Sequence, residues 1–174
     1  MRIIAGRYGR RLLESPQGLE VRPTADRVRE ALFSALGSRG AVEGARVLDL
    51  FAGTGALALE ALSRGAASAV LVEQHPKALA ALTANVRTLG ADATVVRGDA
   101  LAWLARRPSE PFDLIFADPP YALLELPALP ERVRPHLAPD GLFVLEHDAR
   151  HRFGDAPGLL LTRTYGRTVV SLFS

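Results

Sequence analysis

Short apolar runs alternate with amphipathic segments through most of the chain. Runs of strand length cover residues 46–50, 68–73, 93–97, 112–117 and 141–146. Apolar residues at helical spacing cover 56–64, 76–89, a short stretch around Trp103 and 126–136. Strands and helices that alternate in this way form a mainly parallel sheet with helices on both faces. The pattern therefore predicts an α/β domain built on such a sheet.

The two ends of the chain depart from this alternation. Residues 2–21 predict an extended basic arm or β-hairpin that turns at Pro16-Gln17-Gly18. Thr24 is predicted to cap a helix of about ten residues that ends near Gly37. Residues 159–165 and 168–173 predict an antiparallel hairpin at one edge of the sheet. We therefore divide the chain into an N-terminal arm and helix (1–40) and a seven-stranded sheet domain (41–174).

Composition narrows the class of protein. The chain has 174 residues, of which 48% are hydrophobic, and this is enough for one domain with a substantial core. No apolar run is long enough to cross a bilayer, and the first residues lack the apolar segment of a secretory signal. The absence of cysteine excludes disulfides and thiolate metal sites. We expect a soluble cytoplasmic protein.

Positive charge is concentrated near the N-terminus. Residues 1–40 carry eight arginines against four acidic residues, whereas the rest of the chain has a small acidic excess. Arginine pairs with phosphate bidentately and stacks on bases. We therefore predict that Arg2, Arg7, Arg10 and Arg11, with Tyr8 between them, contact the phosphates and bases of a nucleic acid. The alternative is an ordinary solvated hairpin.

A glycine-rich turn follows the first predicted strand. Gly53 and Gly55 allow a sharp backbone turn and a close ligand approach, and Ala58 completes a G-x-G-x-x-G/A pattern. Glu73 ends the next strand, where a carboxylate can accept hydrogen bonds from ribose hydroxyls. Asp99, after the third strand, can reach an adenine amine. The turn predicts nucleotide-type binding, although a dinucleotide enzyme would show much the same loop.

Asp49 distinguishes between a dinucleotide and a cofactor that contains a methionine moiety. It lies inside the strand that precedes the glycine turn. Its carboxylate can meet the cationic α-amino group of a methionine moiety, whereas it would repel a pyrophosphate. The sequence therefore favours S-adenosylmethionine over NAD.

A second chemically distinctive turn follows the apolar run 112–117. Asp118-Pro119-Pro120-Tyr121 places a carboxylate, two fixed φ angles and an aromatic ring at a strand end. The exocyclic amine of a base is a poor nucleophile. Asp118 and a backbone carbonyl near Pro119 can hold its N–H groups and stabilise the charge that develops on nitrogen, while Tyr121 stacks on the base. The alternative is a Pro-Pro turn that only ends the strand.

These motifs together resemble a known family. The glycine turn followed by Asp-Pro-Pro-Tyr resembles the Rossmann-like class I amino-methyltransferases of nucleic acids. Three further segments resemble the RsmD family of bacterial 16S ribosomal RNA guanine-N2 methyltransferases. They are Arg2-Ile3-Ile4-Ala5-Gly6, Arg22-Pro23-Thr24-Ala25-Asp26-Arg27-Val28-Arg29-Glu30-Ala31-Leu32-Phe33 and Tyr165-Gly166-Arg167-Thr168. The resemblance covers essentially the whole chain; Tyr121 departs from it, since many relatives carry Phe there.

The resemblance implies roles for particular residues. Asp118, Pro119, Pro120 and Tyr121 would form the catalytic loop. The segment 22–29 would lie across the mouth of the site, and we include Arg22 and Arg29 among the RNA contacts. The predicted S-adenosylmethionine pocket consists of Asp49, Phe51, Ala52, Gly53, Gly55, Glu73, Gln74, Asp99, Ala100, Thr24 and Arg27. We expect no metal, S-adenosylhomocysteine as product, and a monomer that acts on 16S RNA in the 30S subunit or its assembly intermediate.

Other functions fit part of the sequence. A DNA adenine-N6 methyltransferase also uses Asp-Pro-Pro-Tyr, but this chain has no room for a sequence-reading domain. An NAD-dependent reductase would need a substrate domain and a Tyr-x-x-x-Lys pair, which the chain lacks. A non-catalytic RNA-binding assembly factor would explain the basic arm but not the catalytic turn. His147 and His151 have the spacing of helical metal ligands, but they follow a strand and lack a third ligand.

Overall fold

A computed structural model describes residues 1–16, 23–106 and 110–174, except for the side chains of residues 23–25. The helices are α1 (Pro23–Gly37), α2 (Ala56–Ser63), α3 (Pro76–Leu89), α4 (Ala100–Leu104) and α5 (Leu129–Val133). The strands are β1 (Arg46–Asp49), β2 (Ser68–Glu73), β3 (Ala93–Arg97), β4 (Phe112–Ala117), β5 (Leu137–Asp148), β6 (Leu159–Tyr165) and β7 (Thr168–Phe173). Among the described residues, no helix is both long and apolar enough to span a bilayer.

The strands form one seven-stranded sheet in the order β3-β2-β1-β4-β5-β7-β6. β1 to β5 are parallel to one another, and β7 runs antiparallel to both β5 and β6. The predicted α/β sheet with a terminal antiparallel hairpin is therefore confirmed. The winding reverses between β1 and β4, so the crevice at the carboxyl ends of these strands is where a ligand is expected. We call this edge of the sheet the catalytic rim.

Helices cover both faces of the sheet. One core cluster joins α1, α2 and α3 to residues such as Val47 and Phe116, and the other joins α4 and α5 to residues such as Leu48 and Ile115. Successive strand residues point to opposite faces, which explains this division. Because α1 packs on the first face and leads through residues 38–45 into the start of β1, its first turn lies at the catalytic rim.

Most predicted elements agree with the structure to within one residue at each end, and three differ by more. α1 begins at Pro23, before the predicted cap at Thr24, and has 15 residues. β5 starts at Leu137, earlier than the glycine that marked its predicted start. The predicted helix 126–136 is a 3₁₀ turn, α5 and a second 3₁₀ turn, because Pro130 and Pro135 lack the amide hydrogens of a continuous helix.

The predicted N-terminal hairpin is not confirmed. Among residues 1–16, a single antiparallel bridge joins Arg2 to Leu12, and residues 5–10 form a compact series of turns. Ile3, Tyr8 and Leu13 are buried in the same core cluster as α1 and α2. The segment therefore packs against the domain instead of projecting from it. Of the predicted turn at 16–18, Gln17 and Gly18 lie outside the described residues.

One buried carboxylate anchors this segment. Glu60, on α2, is fully buried and accepts hydrogen bonds from the backbone amides of Ile4 (2.7 Å) and Ala5 (3.1 Å). Arg64 donates to the same carboxylate at 2.7 Å, and the Arg29 Nε lies 3.8 Å from it. A buried charge needs such partners, because water no longer solvates it. Glu60 therefore joins the N-terminal segment, α1 and α2.

A second link ties the N-terminal segment to the glycine turn. The side-chain oxygen of Asn85 accepts a hydrogen bond from the Glu14 amide at 2.7 Å. The Asn85 amide group donates to the carbonyls of Glu14 (3.1 Å) and Thr54 (3.0 Å). Asn85 is buried, and its three hydrogen bonds fix the turn against the segment that precedes α1.

Removal of the Glu60 carboxylate should destabilise the fold. We expect Glu60→Ala to lower the free energy of unfolding by about 3–5 kcal/mol, because Arg29 and two backbone amides lose a buried partner. Urea denaturation measures this change. Glu110→Ala is the control, because Glu110 pairs with Arg46 at 2.8 Å with its side chain 71% exposed, and its loss should cost less than about 1 kcal/mol. Equal effects of the two changes would contradict the anchoring role.

Candidate functional site

A cavity of about 590 Å³ opens at the catalytic rim. It unites the two turns that the sequence singled out, since its lining includes Phe51, Gly53, Glu73, Gln74, Ala100, Asp118, Pro119, Pro120 and Tyr121. Leu50, Val72, His75 and Gly98 also line it. The sequence analysis did not include these four, although each lies within two residues of a predicted position. The cavity is large enough for a nucleoside-sized ligand.

The glycine turn has the backbone shape that its residues predict. Gly53 and Gly55 both have positive φ angles, 56° and 84°. A Cβ atom on Gly55 would lie 2.6 Å from the Leu82 side chain, so this glycine also permits close packing of α2 against α3. Gly55 directly precedes α2 and Ala52 is buried behind the turn, so neither lines the cavity.

Glu73 holds the glycine turn in place. One carboxylate oxygen accepts a hydrogen bond from the Gly53 amide at 2.8 Å, and the other accepts from the His75 amide at 2.6 Å. These bonds fix the carboxylate at the cavity wall. Each oxygen keeps a second lone pair for a donor in the cavity, such as a ribose hydroxyl.

Asp49 is a buried carboxylate that lacks a full set of partners. It is 2% exposed, and its Oδ1 makes no hydrogen bond. Burial raises the pKa of Asp49 to about 7, with a contribution from Glu73, although backbone amides partly offset the shift. An unpaired buried oxygen is costly and calls for a donor. The residues of the turn thus fit a cofactor with a cationic amino group.

Asp99 has a structural partner. Its Oδ1 accepts a hydrogen bond from the Ala102 amide at 2.8 Å and caps α4. Its neighbours Gly98 and Ala100 line the cavity, but Asp99 itself does not. Contact between its side chain and an adenine amine therefore stays a prediction.

Asp118 opens onto the cavity directly after β4. Its side chain is exposed to the open cavity. The surrounding protein raises the pKa of its carboxyl group above its ordinary value by desolvation, and the carboxylates of Glu146 and Asp49 raise it further. The Pro120 carbonyl accepts a hydrogen bond from the Leu123 amide at 2.8 Å, which closes the turn after Tyr121. The turn is therefore fixed, with an acidic group at its start.

Two residues beside the catalytic turn were missed by the sequence analysis. Burial raises the pKa of Glu146, at the end of β5, and the Thr168 hydroxyl partly offsets this shift. Burial also raises the pKa of Tyr121, and the same hydroxyl offsets that shift too. Strand pairing brings Glu146 and Thr168 close to the catalytic turn. This pairing cannot be predicted from the local sequence pattern.

The predicted RNA-contacting residues divide into two groups. Arg2, Arg7, Arg10 and Arg11 are exposed. Tyr8 is only 9% exposed, and Arg7 lies over its ring at 4.5 Å, so its predicted stacking on a base is corrected to a packing role.

Arg29 is corrected in the same way. It is 4% exposed, pairs with Asp26 at 3.0 Å and donates to the Arg2 carbonyl. Its role is to hold α1 to the N-terminal segment. Of the neighbouring predicted residues, Arg27 is exposed on α1, whereas Arg22 and the side chain of Thr24 lie outside the described residues.

The histidines near the end of β5 have protein partners. His147 is buried, and its Nε2 lies 2.9 Å from the Ser171 hydroxyl, while His151 lies 2.8 Å from Asp148. In the part of the chain that the structure describes, no group of three or more His, Asp or Glu residues is arranged to hold a metal. Trp103 packs against Phe112 and His136.

The raised pKa of Asp49 predicts a pH-dependent affinity for a cationic ligand. Between about pH 5.5 and about pH 7 the ionised fraction of a carboxyl with a pKa near 7 rises roughly fifteenfold. We expect the affinity for S-adenosylmethionine, measured by calorimetry, to rise by a similar factor, because its cationic amino group binds the ionised form. Asp49→Asn should remove this dependence. Adenosine, which lacks the amino group, is the control ligand, and an equal pH dependence for adenosine would contradict the assignment.

Comparison with known proteins places the chain among methyltransferases. The family model described as conserved hypothetical protein 95 (Cons_hypoth95) matches residues 1–174. YlbH of Bacillus subtilis (strain 168) is 38% identical over 182 aligned positions, which cover 99% of this chain and 98% of YlbH. The ribosomal RNA small subunit methyltransferase D of Escherichia coli (strain K12) is 44% identical over 122 residues, which cover 70% of this chain and 60% of that protein.

Solved structures share the fold. The structure of yhhF from Escherichia coli has a TM-score of 0.86 and 35% identity, and the match covers 99% of this chain and 96% of that one. The Thermus thermophilus 16S rRNA N2 G1207 methyltransferase (RsmC), solved with AdoMet and guanosine, has a TM-score of 0.73 and 26% identity over 91% of this chain and 44% of that one. The chain therefore belongs to the RsmD family, which the Cons_hypoth95 model describes, and has the Rossmann-like fold of class I methyltransferases.

Proposed function

We propose that this protein transfers a methyl group from S-adenosylmethionine to the exocyclic N2 amine of a guanine in 16S ribosomal RNA of the small subunit. The observation that carries the proposal is the single cavity at the catalytic rim. There the Glu73-held glycine turn, with the unpaired Asp49 carboxylate behind it, faces the Asp118–Tyr121 turn. The first turn fits a cationic nucleoside cofactor, and the second fits the amine of a base.

The residues divide the work as follows. Asp49 holds the α-amino group of the cofactor, and Glu73 holds its ribose. The bound cofactor supplies an electrophilic methyl group. Asp118 accepts a hydrogen bond from the target amine and stabilises positive charge that develops on its nitrogen. Tyr121 stacks on the base, and the two prolines keep the backbone carbonyl aimed at the amine. Asp118 or solvent takes the proton that the amine releases.

The relatives support the ribosomal substrate. The E. coli relative is named a ribosomal RNA small subunit methyltransferase, and the T. thermophilus RsmC structure contains both AdoMet and guanosine. We propose the 30S subunit or its assembly intermediate as the substrate particle, a cytoplasmic location and a monomeric enzyme. Methylation of DNA adenine and a non-catalytic role in assembly are the competing outcomes of the test below.

Transfer of labelled methyl groups tests the activity. We expect the wild-type protein to label 30S particles or naked 16S RNA, with N2-methylguanine as the product found by nucleoside mass spectrometry. Labelled N6-methyladenine in duplex DNA, without labelled ribosomal RNA, would identify the DNA enzyme. Binding of 16S RNA with no methyl transfer to any of these substrates would favour the assembly factor.

Asp118→Ala tests the catalytic turn. We expect this change to lower methyl transfer by more than about 100-fold, because the amine loses its carboxylate acceptor. The affinity for S-adenosylmethionine should stay close to that of the wild type. Asp113→Ala is the control, because Asp113 lies on the same strand at its opposite end, where it accepts a hydrogen bond from the Arg46 amide. Loss of cofactor binding in the Asp118 variant would mean that the turn is structural.

The N-terminal arginines define a proposed RNA surface. The Arg7 amide donates to the carbonyl of Ser63, the last residue of α2, so the tip of the segment lies about 12 Å, one helix length, from the catalytic rim. RNA that reaches both places must extend along this side of the domain. Arg10 and Arg11 would then contact its phosphates.

Changing Arg10 and Arg11 to Ala should weaken RNA binding and reduce its salt dependence. We expect the slope of log affinity against log salt to fall by about one to two, one for each lost phosphate contact. Fluorescence titration of 16S RNA at several salt concentrations measures the slope. The control pair is Arg132 and Arg134, which are exposed on the opposite face. An unchanged slope in the Arg10/Arg11 variant would remove the segment from the interface.

A further inference from the structure

The strand order places different residues on the two sides of Asp118. Gly53, which follows β1, and Glu73, the last residue of β2, lie on one side of β4. The proposed function assigns both residues to cofactor binding. On the other side of β4 lie the end of β5, with Glu146, and the start of β7, with Thr168. A base whose amine meets Asp118 must therefore extend over Glu146 and Thr168.

Strand register brings these side chains together. Ala117, the last residue of β4, pairs with Leu145 of β5. Asp118 and Glu146 are the next residues after this pair, and paired residues of neighbouring strands lie roughly 5 Å apart. Glu146 also pairs with Val170 across β5 and β7. Alternation puts Asp118, Glu146 and Thr168 on the same face, because Phe116, Val144 and Val170 all belong to the core cluster of that face.

Glu146 has the environment of a carboxylate that binds a ligand. It is half-buried, unlike the exposed acidic residues of the surface. Among the described residues, it has no arginine or lysine partner within salt-bridge distance. Its carboxylate contributes to the raised pKa of the Asp118 carboxyl group. Such a pair of acceptors lowers its free energy when a ligand supplies two adjacent donors.

We propose that Glu146 is the residue that selects guanine, by accepting a hydrogen bond from the base N1–H while Asp118 accepts one from the N2 amine. This inference rests on the proposed guanine-N2 activity. Guanine carries N1–H and the N2 amine side by side, whereas N1 of adenine is an acceptor that the Glu146 carboxylate repels. Thr168 acts as a positioning residue, since its hydroxyl lies beside both Glu146 and Tyr121.

The test combines the Glu146→Gln substitution with a target base that is altered at its Watson–Crick edge. The acceptor is the 30S particle assembled around 16S RNA in which the methylated guanine, once mapped, is replaced by 2-aminopurine. That base keeps the N2 amine, but its N1 has a lone pair instead of a hydrogen. We expect wild-type kcat/KM to be about tenfold to a hundredfold higher for guanine. In Glu146→Gln this ratio should fall at least about tenfold, because the amide can donate to N1.

Two further variants make the test decisive. Glu110→Gln, which changes an exposed carboxylate paired with Arg46 at the far edge of the sheet, should leave the ratio unchanged. Thr168→Val should lower the ratio without changing the Kd for S-adenosylmethionine, and it replaces Glu146→Gln if that variant fails to fold. A ratio that is the same in the wild type, Glu146→Gln and Thr168→Val would overturn the proposal. Absence of methyl transfer to the guanine particle by the wild type would instead refute the proposed function.

Discussion

Crowding of carboxylates at the ends of neighbouring parallel strands is the constraint on which the site depends. Asp49 ends β1, Asp118 follows β4 and Glu146 lies two residues before the end of β5, and these three strands are adjacent in the sheet. Parallel strands direct their carboxyl ends to one edge, so these groups share a partly desolvated space. Ionising all of them there is unfavourable, and the pKa of each is raised. A cationic cofactor and a base with adjacent N–H donors relieve this repulsion, which links the fold to the proposed chemistry.

Two other carboxylates, those of Glu73 and Glu60, stabilise the structure around that space. Glu73 is held by two backbone amides and in turn fixes the glycine turn, and Glu60 holds the N-terminal segment and α1 against α2. Because these two groups are partnered by N–H donors or by arginine, they stabilise the structure. Asp49 keeps one buried oxygen without a hydrogen bond, and Glu146 has no arginine or lysine within salt-bridge distance among the described residues. Carboxylates with protein partners thus have a structural role, whereas those that lack a full set of partners are available to bind ligands.

The sequence predicted what depends on local pattern. Five strands and one helix have the predicted limits, since periodicity and a closing glycine such as Gly90 fix an element locally. The cavity contains both predicted turns because parallel strands share an edge. Sequence could not show that Glu146 stands beside Asp118, because that contact depends on register. The sequence analysis also predicted that Tyr8 and Arg29 lie on the surface. Both are buried, because the N-terminal segment and α1 pack against the core cluster and Glu60.

The site depends most on the binding of a cationic cofactor by the crowded carboxylates at the catalytic rim. Carbon-13 NMR titration of the carboxyl groups of Asp49 and Asp118 tests it most directly, in the free protein and with S-adenosylmethionine or adenosine bound. We expect S-adenosylmethionine to lower the pKa of Asp49 from about 7 and neutral adenosine to leave it raised, and we expect the pKa of Asp118 to be raised in the free protein. An Asp49 pKa that S-adenosylmethionine does not change, or ordinary pKa values for both groups in the free protein, would contradict this expectation.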